Sequence, residues 1–328
     1  MKSKKDLYLK LAITLFAVIL AFCLIIIVMH VVETNLNKDN FNRTTFGEIT
    51  YGDKVYTPKQ RIKTFLLIGI DEFGEFEKSD EYANGKLADF ITLFVFDENT
   101  ETCTLVHINR DTMMEVPRLA ENGNKAGVKY QQIALAHSYG SGGEDSGRNV
   151  ANAVSSLLGD ITVDNYMTLS MDAVAILNDM VGGVTVEIKD DFSAIDPSLK
   201  MGEKITLKGE QSLTYVRTRL GVGDQTNISR MARQKEYMYS FAESLKAAYE
   251  ADHDLMIEID EALGDYMITD STVGELTELA ELISNYELKG IVSPDGESKK
   301  GEMYMEYYVK KDALQKMIVD LFYEEKKS

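Results

Sequence analysis

Cysteine is nearly absent from this chain: Cys23 and Cys103 are the only two among 328 residues. Both sit inside apolar runs, which excludes a disulfide framework and a cysteine metal site. Histidine is scarce too. The four present are scattered without metal-ligand spacing, so zinc is not expected. Positive charge is short as well, with 35 lysines and arginines against 53 acidic residues and a formal net charge of −18. That field repels a nucleic-acid backbone, so no nucleic acid is expected as a partner. Two catalytic signatures are also missing. The stretch SYGSGG lacks the GK[ST] of a P-loop, and no G-x-S-x-G elbow accompanies His107 or His137.

What is present begins with one long apolar run. Leu11 to Met29 carries no formal charge and extends to Val32, long enough to cross a bilayer as a helix. Before it stand Lys2, Lys4, Lys5 and Lys10 against Asp6, and after it Glu33, Lys38, Asp39 and Arg43. The positive-inside bias places residues 1–10 in the cytoplasm and everything after Val32 outside, as a single-pass protein of the cell membrane. The run is too long for a signal-peptide core and no clear A-x-A site follows it, so the anchor is expected to stay. Residues 1–32 sum to +3, which leaves −21 on the exported part.

Residues 33–60, rich in asparagine and threonine, read as an extracytoplasmic linker. From there to residue 325 strands and helices interleave. TFLLIGID (64–71), DFITLFVFD (89–97) and TCTLVHINRD (102–111) are short, β-branched and aromatic runs typical of buried strands. Helices are expected after SYGSGG, over 171–183, over 229–250 with Ser229 as N-cap, over 272–286 and at the end of the chain. The fold class that follows is α/β, one domain over 61–325 with a central mixed sheet and helices on both faces.

The chemistry concentrates in LTYVRTRLGVGDQTNISRMARQ (213–234). In this acidic chain it gathers Arg217, Arg219, Arg230 and Arg233, uses no lysine, and offsets them with Asp224 alone. If YVRTR is a strand, its two arginines share a face, and Arg230 and Arg233 share the first turns of the following helix. Four guanidinium groups on adjoining elements suit a phosphate or pyrophosphate, with free N–H groups of the helix start nearby. The bland alternative is that they pair with the many acids. Asp71 and Asp89 fall at strand ends, where α/β sheets place ligands, and carboxylates beside a pyrophosphate commonly hold Mg²⁺ (or Mn²⁺). Arg110 and Asp111 stand at a third strand end.

The order of LLIGID, ADFITLFVFD, INRDTMMEVP, SYGSGG, LTYVRTR and SRMARQ resembles the LytR-CpsA-Psr family of Gram-positive envelope proteins from about Thr64 to Tyr323. The resemblance implies an α/β sandwich with an apolar tunnel for a polyprenyl chain. It also implies transfer of a teichoic acid, capsular or related polymer from an undecaprenyl-pyrophosphate carrier to peptidoglycan at the membrane. By that likeness Asp71 and Asp89 are metal ligands, and Arg110, Arg217, Arg219, Arg230 and Gln234 contact pyrophosphate, with Arg233 in the same motif. The proton acceptor is left open among Asp71, Asp89 and Asp111. Departures from the pattern are Leu87 for an arginine, Asn109 for the proline of PRD, Ala134 for an asparagine and Asn227 for an acid. They keep a second function in view, a non-catalytic polyprenyl-pyrophosphate or wall-polymer binding protein.

Overall fold

A computed structural model describes residues 42–43, 47–76, 82 and 84–326, so the expected membrane helix (11–32) lies outside the described residues. Among the described residues no helix is long and apolar enough to cross a membrane. The chain divides into two compact units, Met1–Pro58 with Glu324–Ser328, and Lys59–Tyr323.

In the first unit β1 (Asn42–Arg43), β2 (Ile49–Tyr51) and β3 (Lys54–Pro58) pair antiparallel, so part of the expected linker is strand. Lys54 pairs with Glu325 at 2.7 Å and Lys326 with Glu48 at 2.7 Å, so both chain segments of this unit are tied together.

The second unit is built on β4 (Ile62–Ile70), β5 (Ala88–Asp97) and β6 (Thr102–Ile108), which match the three apolar runs of the sequence. An antiparallel hairpin, β7 (Met113–Leu119) with β8 (Lys125–Gln132), follows, then a 3₁₀ turn at Ile133–Tyr139. After it come α1 (Glu144–Leu157), β9 (Asn165–Leu169), α2 (Met171–Met180), β10 (Val184–Glu187), β11 (Lys204–Leu207) and α3 (Glu210–Arg217). The long α4 (Asn227–Ala251) is succeeded by α5 (Leu255–Leu263), β12 (Met267–Thr269), α6 (Val273–Asn285) and β13 (Glu287–Val292). The hairpin β14 (Gly296–Lys300) and β15 (Met305–Val309), α7 (Lys311–Phe322) and β16 (Tyr323–Glu325) complete the chain.

Six strands form the central sheet in the order β12-β9-β4-β5-β6-β13. It is mixed: β5 pairs antiparallel with both β4 and β6, while β9 and β13 pair parallel to β4 and β6. Strand alternation splits its apolar side chains between two faces. Phe65, Phe96, Leu105 and Leu169 join one core with Tyr237 and Leu245 of α4 and Leu276 of α6. On the other face α1 presses so close that a Cβ on Gly147 would lie 2.3 Å from the Tyr166 ring, and only glycine fits. The Tyr166 hydroxyl donates to the Glu144 carbonyl at 2.7 Å and fastens the start of α1 there.

Two local expectations are overturned. YVRTR is not a strand. Its first part ends α3, in which Leu213 and Tyr215 are both buried, and Thr218 begins an extended exit. Tertiary burial has overridden the β-propensity of Thr-Tyr-Val. The N-cap of α4 is Thr226, whose hydroxyl accepts the Ser229 backbone N–H at 3.1 Å; Ser229 itself lies inside the helix.

Candidate functional site

The site starts from an irregularity in the sheet. Across β4 and β5, Gly69 pairs with Phe90 but Ile70 pairs with Ala88, which leaves Asp89 as the extra residue of a β-bulge. Bulges re-aim side chains, and here the carboxylate is turned to meet two cations. Asp89 forms ion pairs with Arg110, just beyond the end of β6, and with Arg230 in the first turn of α4, the latter at 3.5 Å. Asp71, one residue past the end of β4, pairs with Arg217 at 3.0 Å, and that guanidinium lies 5.1 Å from the exposed Phe73 ring. Arg219 is exposed and makes no ion pair among the described residues, yet its charge acts on both Arg230 and Asp111.

Arg110, Arg217, Arg219, Arg230, Asp71, Asp89 and Asp111 are thus brought together at one end of the sheet, contributed by β4, β5, the β6–β7 turn, α3, the α3–α4 loop and α4. Burial raises the Asp111 carboxyl above its ordinary range, against the opposing pull of Arg110, Arg230 and Arg219. Gln132 donates to that carboxylate at 3.0 Å. Burial also lowers Arg230, countered by Asp89 and reinforced by Arg110. Charge is thereby concentrated where solvent is scarce, which strengthens every interaction with an incoming anion.

Two donors have no acceptor. The buried Nε–H groups of Arg110 and Arg230, on either side of Asp89, lack a hydrogen-bond partner, as does Oε1 of Gln234. Two guanidinium groups meeting at one carboxylate suit phosphate oxygens.

Arg233 does not join them. It is 4% exposed, pairs with Asp190 at 2.7 Å, donates to the carbonyls of Tyr215 (3.2 Å) and Thr218, and lies over the Phe192 ring at 5.6 Å. Three residues along a helix is not a full turn, and that offset sends Arg233 to the back of the α3–α4 loop. It is a brace for that loop. Gln234 sits between the two roles: its amide N–H₂ donates to the Val216 carbonyl at 3.2 Å, and the residue lines the cavity.

Behind the mouth opens a cavity of about 500 Å³. Asp89, Arg217, Arg230 and Gln234 line its polar end, and Leu67, Phe94, Leu177, Val216, Phe241 and Ile283 are among the apolar residues behind them. Its lining follows α4 from Arg230 to Lys246, about 24 Å at the helical rise. Composition and periodicity carry no signal for this cavity, because an apolar side chain lining a cavity and one filling a core are the same letters; only the family resemblance implied an apolar tunnel.

The same holds for a contact between Asn109 and Asn227. Nδ2 of Asn227 donates to Oδ1 of Asn109 at 2.8 Å, although the two stand 118 residues apart. Two departures noted separately in the sequence are one buried contact. Of the others, Ala134 is fully buried and Lys86, beside Leu87, pairs with Glu72 at 2.5 Å and so is taken up away from Asp89.

No group of three or more His, Cys, Asp or Glu side chains is placed to hold a metal among the described residues, so a protein-only metal cage does not fit. Two carboxylates at neighbouring strand ends do fit Mg²⁺ of the kind held by one or two carboxylates together with substrate phosphate oxygens and water.

A family model described as the LytR_cpsA_psr family matches residues 29–322. The chain belongs to this family. A teichoic acid transferase named TagT from Bacillus subtilis (strain 168) is 28% identical over 200 residues, covering 58% of this chain and 55% of that protein. One named TagU from Oceanobacillus iheyensis is 25% identical over 240 residues, covering 71% and 65%. The chain spans about half the length of the curated relatives it matches. Among solved structures, B. subtilis TagV superposes with a TM-score of 0.61 at 23% identity, covering 80% of this chain and 96% of that one. A structure titled TagT bound to LIIa-WTA superposes at 0.59 and 22%, covering 80% and 90%. At these identities the structures establish the shared mixed α/β fold.

Proposed function

We propose that this family member is a membrane-anchored phosphotransferase that moves an anionic glycopolymer, a teichoic acid or related polymer, from a polyprenyl-pyrophosphate carrier to peptidoglycan. The carrying observation is the union of two opposite environments: buried, unpartnered guanidinium donors at a mouth, and a long apolar cavity directly behind it. A lipid pyrophosphate has that polarity, an anionic head on an apolar tail. The relatives named as teichoic acid transferases supply the polymer and the acceptor.

In this reading the tail lies along α4 in the cavity, and Arg110 and Arg230 receive the pyrophosphate with Arg217 and Arg219 at the rim. An acceptor sugar hydroxyl attacks the polymer's phosphorus. A new P–O bond forms, the pyrophosphate P–O bond breaks, polyprenyl phosphate leaves, and the hydroxyl proton passes to one of Asp71, Asp89 and Asp111. The arginines neutralise charge that grows on the leaving phosphate, in a site that burial keeps poor in water. Asp71 and Asp89 would hold a Mg²⁺ ion when it is bound, and it would supply Lewis-acid neutralisation of the phosphate. The expected anchor at residues 11–32, with the amino terminus cytoplasmic, tethers the chain to the membrane in which the carrier resides.

The test uses the full chain in detergent micelles with a polyprenyl-pyrophosphate-linked sugar. Arg217→Ala is expected to weaken both binding and transfer, whereas Asp89→Asn abolishes transfer and leaves binding measurable. Unchanged binding and transfer in both variants would end this site assignment.

A further inference from the structure

We propose that Asn109 and Asn227 act as one positioning pair that sets the aim of Arg110 and Arg230, an inference that rests on the reading of this mouth as a pyrophosphate site. Both are buried, Asn109 at 4% and Asn227 at 8% exposure. Oδ1 of Asn109 accepts twice, from the Asp111 backbone N–H at 3.0 Å and from Nδ2 of Asn227 at 2.8 Å. Oδ1 of Asn227 then accepts from Nη2 of Arg230 at 2.7 Å.

The direction of every bond in this chain is forced. A backbone N–H and a guanidinium only donate, so each asparagine must turn its oxygen toward that donor. That leaves the amide N–H₂ of Asn227 as the second donor to Asn109, beside the Asp111 N–H, and flipping either amide breaks a bond. Arg110 is enclosed by the same turn, because the Asn109 side chain closes on the N–H two residues on and the Asn109 carbonyl accepts the Thr112 N–H at 3.0 Å. One carbonyl oxygen therefore holds the Arg110 turn directly and the Arg230 guanidinium through Asn227. The pair is neutral. It orients Arg230 without adding a carboxylate, so the cation is shared with Asp89 alone among the acids in ion-pair contact and stays available to a phosphate.

Asn109→Asp and Asn227→Asp separate positioning from electrostatics. Both add one negative charge at touching positions, so the field alone weakens anion binding by similar factors. Their geometry differs: Asp at 109 still accepts from both donors, whereas Asp at 227 sets an acceptor against an acceptor and clamps Arg230 to itself. In the full chain in micelles, Asn227→Asp is expected to raise the Kd for polyprenyl pyrophosphate about tenfold more than Asn109→Asp, on the order of one charge-assisted hydrogen bond. Asn109→Ala/Asn227→Asp is expected to recover most of that loss relative to Asn109→Ala, and the four-member cycle is expected to be non-additive in Tm as well. Equal Kd values for the two aspartate variants at matched Tm, or a cycle additive in both readouts, would overturn the pair. A wild-type chain that fails to bind polyprenyl pyrophosphate overturns the mouth reading and the positioning role with it, and is recognised by that failure alone.

Discussion

Two arginines three positions apart on one helix do different work. Arg230 faces Asp89 and the mouth, while Arg233 is enclosed by Asp190, two backbone carbonyls and the Phe192 ring. Arg233→Ala strips a buried ion pair and strands Asp190, so thermal unfolding is expected to register a loss of about 3 kcal/mol. Arg217→Ala removes only a half-exposed pair with Asp71, expected to cost under about 1 kcal/mol, yet it should weaken ligand binding. A Tm that drops for Arg217→Ala and holds for Arg233→Ala would reverse this assignment. Buried histidines add a pH dependence. Burial lowers His107 to about 3 and His137 to about 4, while each titrates near 6.5 when unfolded. Between those limits the unfolded chain carries more protons, so stability is complete above 6.5 and falls on acidification, by up to about 1.4 kcal/mol per histidine per pH unit. Urea midpoints at pH 7 and pH 5 check this; an equal or higher midpoint at pH 5 would contradict it. The cluster of arginines in 213–234 was legible in the sequence, since it stands out in an acidic chain. Their partition into binding and bracing was not, because it depends on Asp190 and Phe192, 40 or so residues away.

At the scale of elements, the start of α4 carries the most function. Thr226 caps it, and Asn227 and Arg230 occupy its first turn. Thr226→Ala is expected to cost about 1 kcal/mol and to weaken pyrophosphate binding in the same protein. Farther along the helix Ala242 lines the cavity. Ala242→Phe fills space there, so affinity for a long polyprenyl pyrophosphate is expected to fall at least severalfold while that for a short-chain analogue holds. Equal losses for both ligands would place the tail elsewhere. The sheet strands β4, β5 and β6 were legible as dense β-branched runs, and a helix was expected over 272–286, where α6 starts from a Thr272–Glu275 capping box. The β7–β8 hairpin escaped because most of β8 is exposed on both faces and leaves no alternating apolar pattern. α3 was mistaken for strand because three of its residues favour β locally while its burial is set by the core it meets.

For the whole molecule, residues 33–328 carry a formal charge of −21, and against that background several arginines converge at one end of the central sheet. The net acidity disfavours anions in general, and three of the site residues, Asp89, Arg217 and Arg230, also line the apolar cavity. The most direct measurement is a transfer assay with the full chain in micelles, a polyprenyl-pyrophosphate-linked glycopolymer and peptidoglycan oligomers, run with Mg²⁺ and with chelator. The expected result is a glycopolymer joined to peptidoglycan through a phosphodiester, formed with Mg²⁺, suppressed by chelator and lost in Asp89→Asn. Tight binding of the lipid with no such product in any condition would contradict the transferase and make the protein a polyprenyl-pyrophosphate binding module.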